Sequence, residues 1–142
     1  MAKTHSTQRA PAAPGATARA LLCLAVIACG LALRSFGFQL GLPAVVVKYG
    51  GSLLWGTMVF FLVALLLPRR PRQQVALIAL VIAILVELFR LVHAPWLGAF
   101  RLTTAGALLL GRIFSLWNML AYAAGIMLAA VIDRLAASLR RE

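Results

Sequence analysis

Residues 81–95 read VIAILVELFRLVHAP, and Glu87 and Arg90 stand where the twelve preceding residues, 75–86, carry no polar side chain at all. A full charge inside an apolar helix costs about 2.5–3.5 kcal/mol on insertion scales, so such residues face a protein interior and find a partner. A carboxylate there can act as an acid or base, hold a cation, or pair with an arginine. Arg90 lies one helical step away on the same face, and Arg101 and Arg112 follow in the next segment. Pairing that holds a loop down is the first expectation for Glu87. Recognition of an anionic or polyprenyl-linked envelope molecule by the arginines is the second. Catalysis comes third: no Ser-His-acid, His-Glu-x-x-His or Cys-His arrangement is present, and His93 beside Pro95 reads as an interfacial residue as readily as a base. No metal ligand set or cofactor motif is expected.

The elements that position these residues are apolar runs. The chain is 63% hydrophobic and only 12% charged, with a mean hydropathy of +0.98, far from the roughly 25% charged residues of soluble domains. These values predict an all-α integral membrane protein, a bundle of four transmembrane helices with an interfacial or re-entrant segment before the last. Expected spans are residues 18–40, 47–67, 75–92 and 113–132. They make a membrane domain over 18–134 between a disordered tail at 1–17, MAKTHSTQRAPAAPGAT, and a C-terminal tail at 135–142. The first apolar run, 20–33, is short for a span and reaches full length by continuing through Phe36 and Phe38 to Leu40. A signal peptide is disfavoured because RSFGF offers no small-x-small cleavage pattern. VIAC, ending at Cys29, loosely matches a lipoprotein cleavage box. Cys23 and Cys29, on different faces of one helix, read as small apolar fillers.

Within these runs three faces carry small or polar residues. Ala76, Ala79, Ala83, Glu87 and Arg90 recur at spacings of three and four in the third. Ser115, Asn118, Tyr122, Gly125 and Ala129 do so in the fourth, and Gly50, Gly51, Ser52 and Gly56 open the second. The segment 93–112, HAPWLGAFRLTTAGALLLGR, is too polar and Gly-broken for a span. These faces predict a polar cluster of Glu87, Arg90, Trp96, Arg101, Arg112, Asn118 and Tyr122 at one level of the bundle.

The net charge of +11 does not point to nucleic acid, because the Lys and Arg residues flank apolar runs. It follows the positive-inside pattern. Lys3, Arg9, Arg19, Arg69, Arg70, Arg72, Arg134, Arg140 and Arg141 fall on one side, and the smaller set Arg34, Lys48, Arg90, Arg101 and Arg112 on the other. Both termini are thus expected in the cytoplasm and the Glu87 cluster near the outer face.

KYGGSLLWGTMVFF, ELFRLVHAPWLGAFRLTTAGALLLGR and NMLAYAAGI, in this order, resemble the DUF2809 family of small bacterial membrane proteins, which look distantly similar to VanZ-like proteins. The resemblance covers residues 24–133 and implies that Glu87, Trp96, Arg101, Gly111, Arg112, Tyr122 and Gly125 match the family pattern. It also implies departures: Ser52 and Asn118 stand where the family usually has Asp, and Arg90 where it usually has Gln. No reaction follows from it. The resulting expectation is a non-enzymatic cell-envelope protein of the inner membrane. Its partners would be membrane lipids and an anionic envelope ligand, with a homo-oligomer open to it. The rival is a small proton-coupled transporter or channel subunit working through Glu87.

Overall fold

A computed structural model of the chain describes residues 15–109 and 114–140. Six helices occur in chain order: α1 (Ala16–Phe36), α2 (Ala44–Leu66), α3 (Arg72–Phe89), α4 (Pro95–Leu102), α5 (Thr104–Leu109) and α6 (Leu116–Leu139). Among the described residues there is no strand. The long helices α1, α2, α3 and α6 are each long and apolar enough to cross a membrane, which makes this an all-helical, multi-pass membrane protein.

Chain breaks fall where backbone chemistry requires them. Gly37 closes α1 by donating to Leu33 O, and the turn that follows contains Gly41 at φ +77°, a left-handed conformation that only glycine adopts without steric penalty. The helix therefore stops at Phe36 rather than running on to Leu40. Pro43, Pro71 and Pro95 open α2, α3 and α4, where a missing N–H removes no intrahelical bond.

At the centre is α2, which packs against α1, α3 and α6, while α3 also packs against α6. The α2–α6 crossing is the tightest. A Cβ added to Gly56 would lie 2.6 Å from Tyr122 O, and one added to Gly125 would collide with Leu53 O. Across this contact the Thr57 hydroxyl donates to Gly125 O at 2.9 Å. In lipid there is no hydrophobic drive between helices, so close backbone approach at small residues supplies the packing energy.

Phe60 and Phe61 meet edge to face at 5.5 Å, and with Val63, Ala64, Val75, Ala79, Ala83, Ile126 and Ala129 they form the core. The small stripe of α3 is buried at Ala79, Ala83 and Glu87, and that of α6 at Asn118, Tyr122, Gly125 and Ala129. Leu21, Leu24, Leu62, Leu77, Leu85, Leu120, Met127 and Val131 point outward, as side chains facing hydrocarbon do. The polar segment after α3 folds into the short pair α4 and α5, packed on each other.

At the other end of the bundle α6 continues well past the apolar run. Asp133, just past the expected span at 113–132, is fully buried, and the helix continues to Leu139. Of the expected N-terminal tail, residues 1–14 lie outside the described residues, while Ala16 and Thr17 belong to α1.

Candidate functional site

Glu87 occupies the last turn of α3, where the helix dipole is unfavourable for an anion. The opposite pole of α6 offsets this. Ser115, the N-cap of α6, donates its backbone N–H to Glu87 Oε1 at 2.7 Å, so the carboxylate of one helix caps the positive end of another. Asn118 Nδ2 lies 3.4 Å from the same oxygen, and the Tyr122 hydroxyl donates to Oε2 at 3.0 Å. Arg90 closes the set with an ion pair to Oε2 at 2.7 Å, and its second terminal nitrogen donates to Tyr122 Oη at 2.8 Å. Glu87 itself is wholly buried. Its charge and its lone pairs are both satisfied, so it fixes the end of α3 to the start of α6.

The neighbouring helix contributes a neutral extension. Ser52 Oγ of α2 lies 3.2 Å from Asn118 Oδ1, and Trp55 packs its ring on Tyr122 at a centroid separation of 4.9 Å. Positions 52 and 118 are those where the resemblance leads to aspartates. Their side chains are hydrogen-bonded neighbours, and Asn118 touches Glu87. Two more carboxylates here would crowd like charges round one buried anion. The Ser–Asn pair keeps the line of hydrogen bonds and leaves a single negative charge.

Arg101 does something else. Of the expected partners, Glu87 forms no ion pair with it, pairing with Arg90 instead. Its terminal nitrogens donate to Phe89 O at 2.7 Å, Val92 O at 3.1 Å and Arg90 O at 3.4 Å, so it neutralises the carbonyl end of α3. The side chain is only 6% exposed, and its stem packs near the Phe89 ring, with the guanidinium carbon 5.8 Å from the centroid. Each charge therefore sits at a helix end of opposite polarity: Glu87 at the start of α6, Arg101 at the finish of α3.

The structure thus brings together Glu87, Arg90, Asn118 and Tyr122, and places Arg101 beside them. Trp96 is 70% exposed and stands apart from the cluster. Arg112 and Gly111 lie outside the described residues.

A second buried ion cluster occupies the other end of the bundle, where sequence reasoning expected only flanking charges. Asp133 accepts from Arg19 Nε at 2.8 Å and Nη2 at 3.1 Å, a bidentate pair, and from Arg72 Nε at 2.9 Å. Arg19 also donates to Ala64 O at 3.2 Å. One carboxylate thereby joins α1, α3 and α6, and Arg19 adds α2. The available signal was periodicity: Asp133 follows Asn118, Tyr122, Gly125 and Ala129 at the same spacing and so shares their buried face.

Residues 41–126 match the family model described as a protein of unknown function, DUF2809. The chain belongs to the DUF2809 family. Within DUF2809 the matched region takes in α2 to α5 and the first half of α6. It therefore contains the whole Glu87 cluster, Arg101 and Arg72, while Arg19 and Asp133 lie beyond it. No solved structure matches the chain at a significant level.

Proposed function

We propose that this DUF2809 protein is a non-enzymatic protein of the cell envelope, lying in the inner membrane with both termini cytoplasmic, whose Glu87 end faces outward and recognises an anionic, lipid-linked molecule. The observation that carries the reading is the uneven use of charge at that end. Glu87 is matched by Arg90 and held by three further donors, whereas among the described residues Arg101 donates to carbonyl oxygens of α3 and its following turn and pairs with no carboxylate. A buried cation without a matching carboxylate raises the local potential and favours an anion. Orientation rests on the positive-inside pattern, with Arg69, Arg70, Arg134 and Arg140 at the Asp133 end.

Burial of Glu87 under four donors argues against the rival reading, a proton-coupled transporter working through this residue. Such a carboxylate has to exchange protons with water and release a cationic substrate, and the adjacent guanidinium repels cations. Reading the lipids retained by protein purified in mild detergent tests the proposal. Anionic or pyrophosphate-linked lipids enriched over their share of the source membrane are the expected result. Retained lipids that mirror the bulk bilayer, or a pH-dependent transport signal in proteoliposomes that vanishes in Glu87→Gln, would overturn it.

A further inference from the structure

Two arginines converge on Asp133, and they are used differently. Arg19 commits every nitrogen of its guanidinium: Nε and Nη2 donate to the carboxylate at 2.8 and 3.1 Å, Nη1 donates to Ala64 O at 3.2 Å, and the residue is 3% exposed. That bidentate pair already balances the charge of Asp133. Arg72 adds only its Nε, at 2.9 Å to Oδ2. Among the described residues its two terminal nitrogens have no hydrogen-bond partner, and neither is sealed from the surface. The side chain is 21% exposed.

The second guanidinium is therefore surplus in charge and fixed in place. Asp133 is wholly buried and held by Arg19, so its Oδ2 anchors Arg72 through Nε while the fork of Nη1 and Nη2 stays accessible. A planar fork held still loses little freedom when it grips a second acceptor, and its geometry matches two oxygens of a phosphate. An arginine on a flexible, solvated stem lacks that advantage.

No carboxylate among the described residues at this end takes up the surplus, since Asp133 is the one present. Arg69 and Arg70 precede Arg72 in the turn from α2, Arg134 follows Asp133 in α6, and the guanidinium of Arg140 lies against Gly15 at the start of α1. Arg70 bonds the neutral Gln74. The field around the fork is positive and draws an anion.

Depth selects the source of that anion. Arg72 is the first residue of α3, a helix long and apolar enough to span, so its guanidinium stands where the helix leaves hydrocarbon for headgroups. Leu66, Leu135 and Leu139 are exposed at the same end and offer apolar surface to acyl chains. A phospholipid brings its phosphate to that level with its chains alongside, and basic clusters at such a boundary attract anionic lipid.

We infer that Arg72 grips the phosphate of an anionic phospholipid in the leaflet at the Asp133 end, with Asp133 and Arg19 as the buried mount that holds its guanidinium. This site is independent of the outward-facing reading above.

The test follows thermal unfolding of the full-length protein in detergent against dioctanoyl phosphatidylglycerol, dioctanoyl phosphatidylcholine and inorganic phosphate. Saturable stabilisation by phosphatidylglycerol, well above that from the zwitterionic lipid, is expected. Arg72→Gln keeps the Arg19–Asp133 pair and should weaken the apparent affinity by about tenfold or more, as the loss of a charge-assisted bidentate contact does. Arg72→Lys keeps the charge without the fork and should fall between that variant and wild type. Arg134→Gln removes an equal charge from an exposed position at the same end and should weaken affinity by about fivefold or less. Equal losses in Arg134→Gln and Arg72→Gln overturn the site in favour of diffuse attraction, and wild-type affinity in Arg72→Lys overturns the role of the fork. If Arg72→Gln does not fold, Arg72→Lys set against Arg134→Gln decides between these outcomes. Equal stabilisation by phosphatidylcholine overturns the anionic class. Equal stabilisation by inorganic phosphate, lost in Arg72→Gln, supports the oxyanion site and overturns its lipid source. A wild-type protein that ignores phosphatidylglycerol overturns the inference, whatever lipid the Arg101 end retains.

Discussion

Replacing Glu87 by Gln keeps the shape of the side chain and removes its charge. The carboxylate accepts from Ser115 N–H, Tyr122 Oη–H, Asn118 Nδ2 and Arg90 Nη1. A glutamine amide has one acceptor oxygen and two donors, so it faces at least one of these donors with a donor of its own. Arg90, which is 10% exposed, loses its counter-charge at the same time. Removing one member of a buried pair costs about 3–5 kcal/mol, mostly through the charge left behind. Unfolding free energy measured by titrating SDS into mixed micelles, with tryptophan emission as the signal, should fall by that amount.

The partner in the cycle decides the argument. Glu87→Gln combined with Arg90→Met should recover a large part of the loss, with a coupling of roughly 1–3 kcal/mol. Combined with Arg101→Ala, it should add to within about 0.5 kcal/mol, because Arg101 bonds Phe89, Arg90 and Val92 carbonyls and not the carboxylate. A coupling between Glu87 and Arg101 larger than that between Glu87 and Arg90 would refute the assignment of partners. Glu87→Gln as stable as wild type would refute its role as a fastener.

At the other end, Asp133→Asn leaves Arg19 buried without a counter-charge and should destabilise by about 3–5 kcal/mol, while the apolar double variant Arg19→Met/Asp133→Leu should regain most of it in the same titration. Gly125→Val drives a side chain into Leu53 O and the Thr57 amide, so α2 and α6 must separate; membrane abundance should collapse, whereas Gly51→Ala, with open space at its Cβ, should express normally. Asn118→Asp sets a second carboxylate beside Glu87, where two like charges in contact cannot both ionise in a buried site. It should destabilise at neutral pH and recover as the pH is lowered and one of the pair takes up a proton, read as a pH-dependent unfolding midpoint absent from wild type.

The sequence by itself determined the material of the fold and much of its inner surface. Apolar runs without charge can be nothing but buried or lipid-facing helices, and prolines and glycines between them allow few places to turn. Spacing of three and four put Ala79, Ala83 and Glu87 on one face of α3 and Asn118, Tyr122, Gly125 and Ala129 on one face of α6, and those faces are buried. Arg90 was one of three partners the sequence offered Glu87, beside Arg101 and Arg112, and the pair it forms three residues away on the same helix is local.

Partners across helices are a different matter, because periodicity assigns a residue to a face but not to a neighbour or a depth. Arg101 looked like a counter-ion for Glu87, and only the way α4 folds back on the end of α3 turned its guanidinium to the backbone carbonyls. Asp133 fell just past the expected fourth span, with no partner legible in the sequence. It became the junction of α1, α3 and α6 because α6 extends beyond its apolar run, and because Arg19 and Arg72, 114 and 61 residues away in the chain, arrive at the same level.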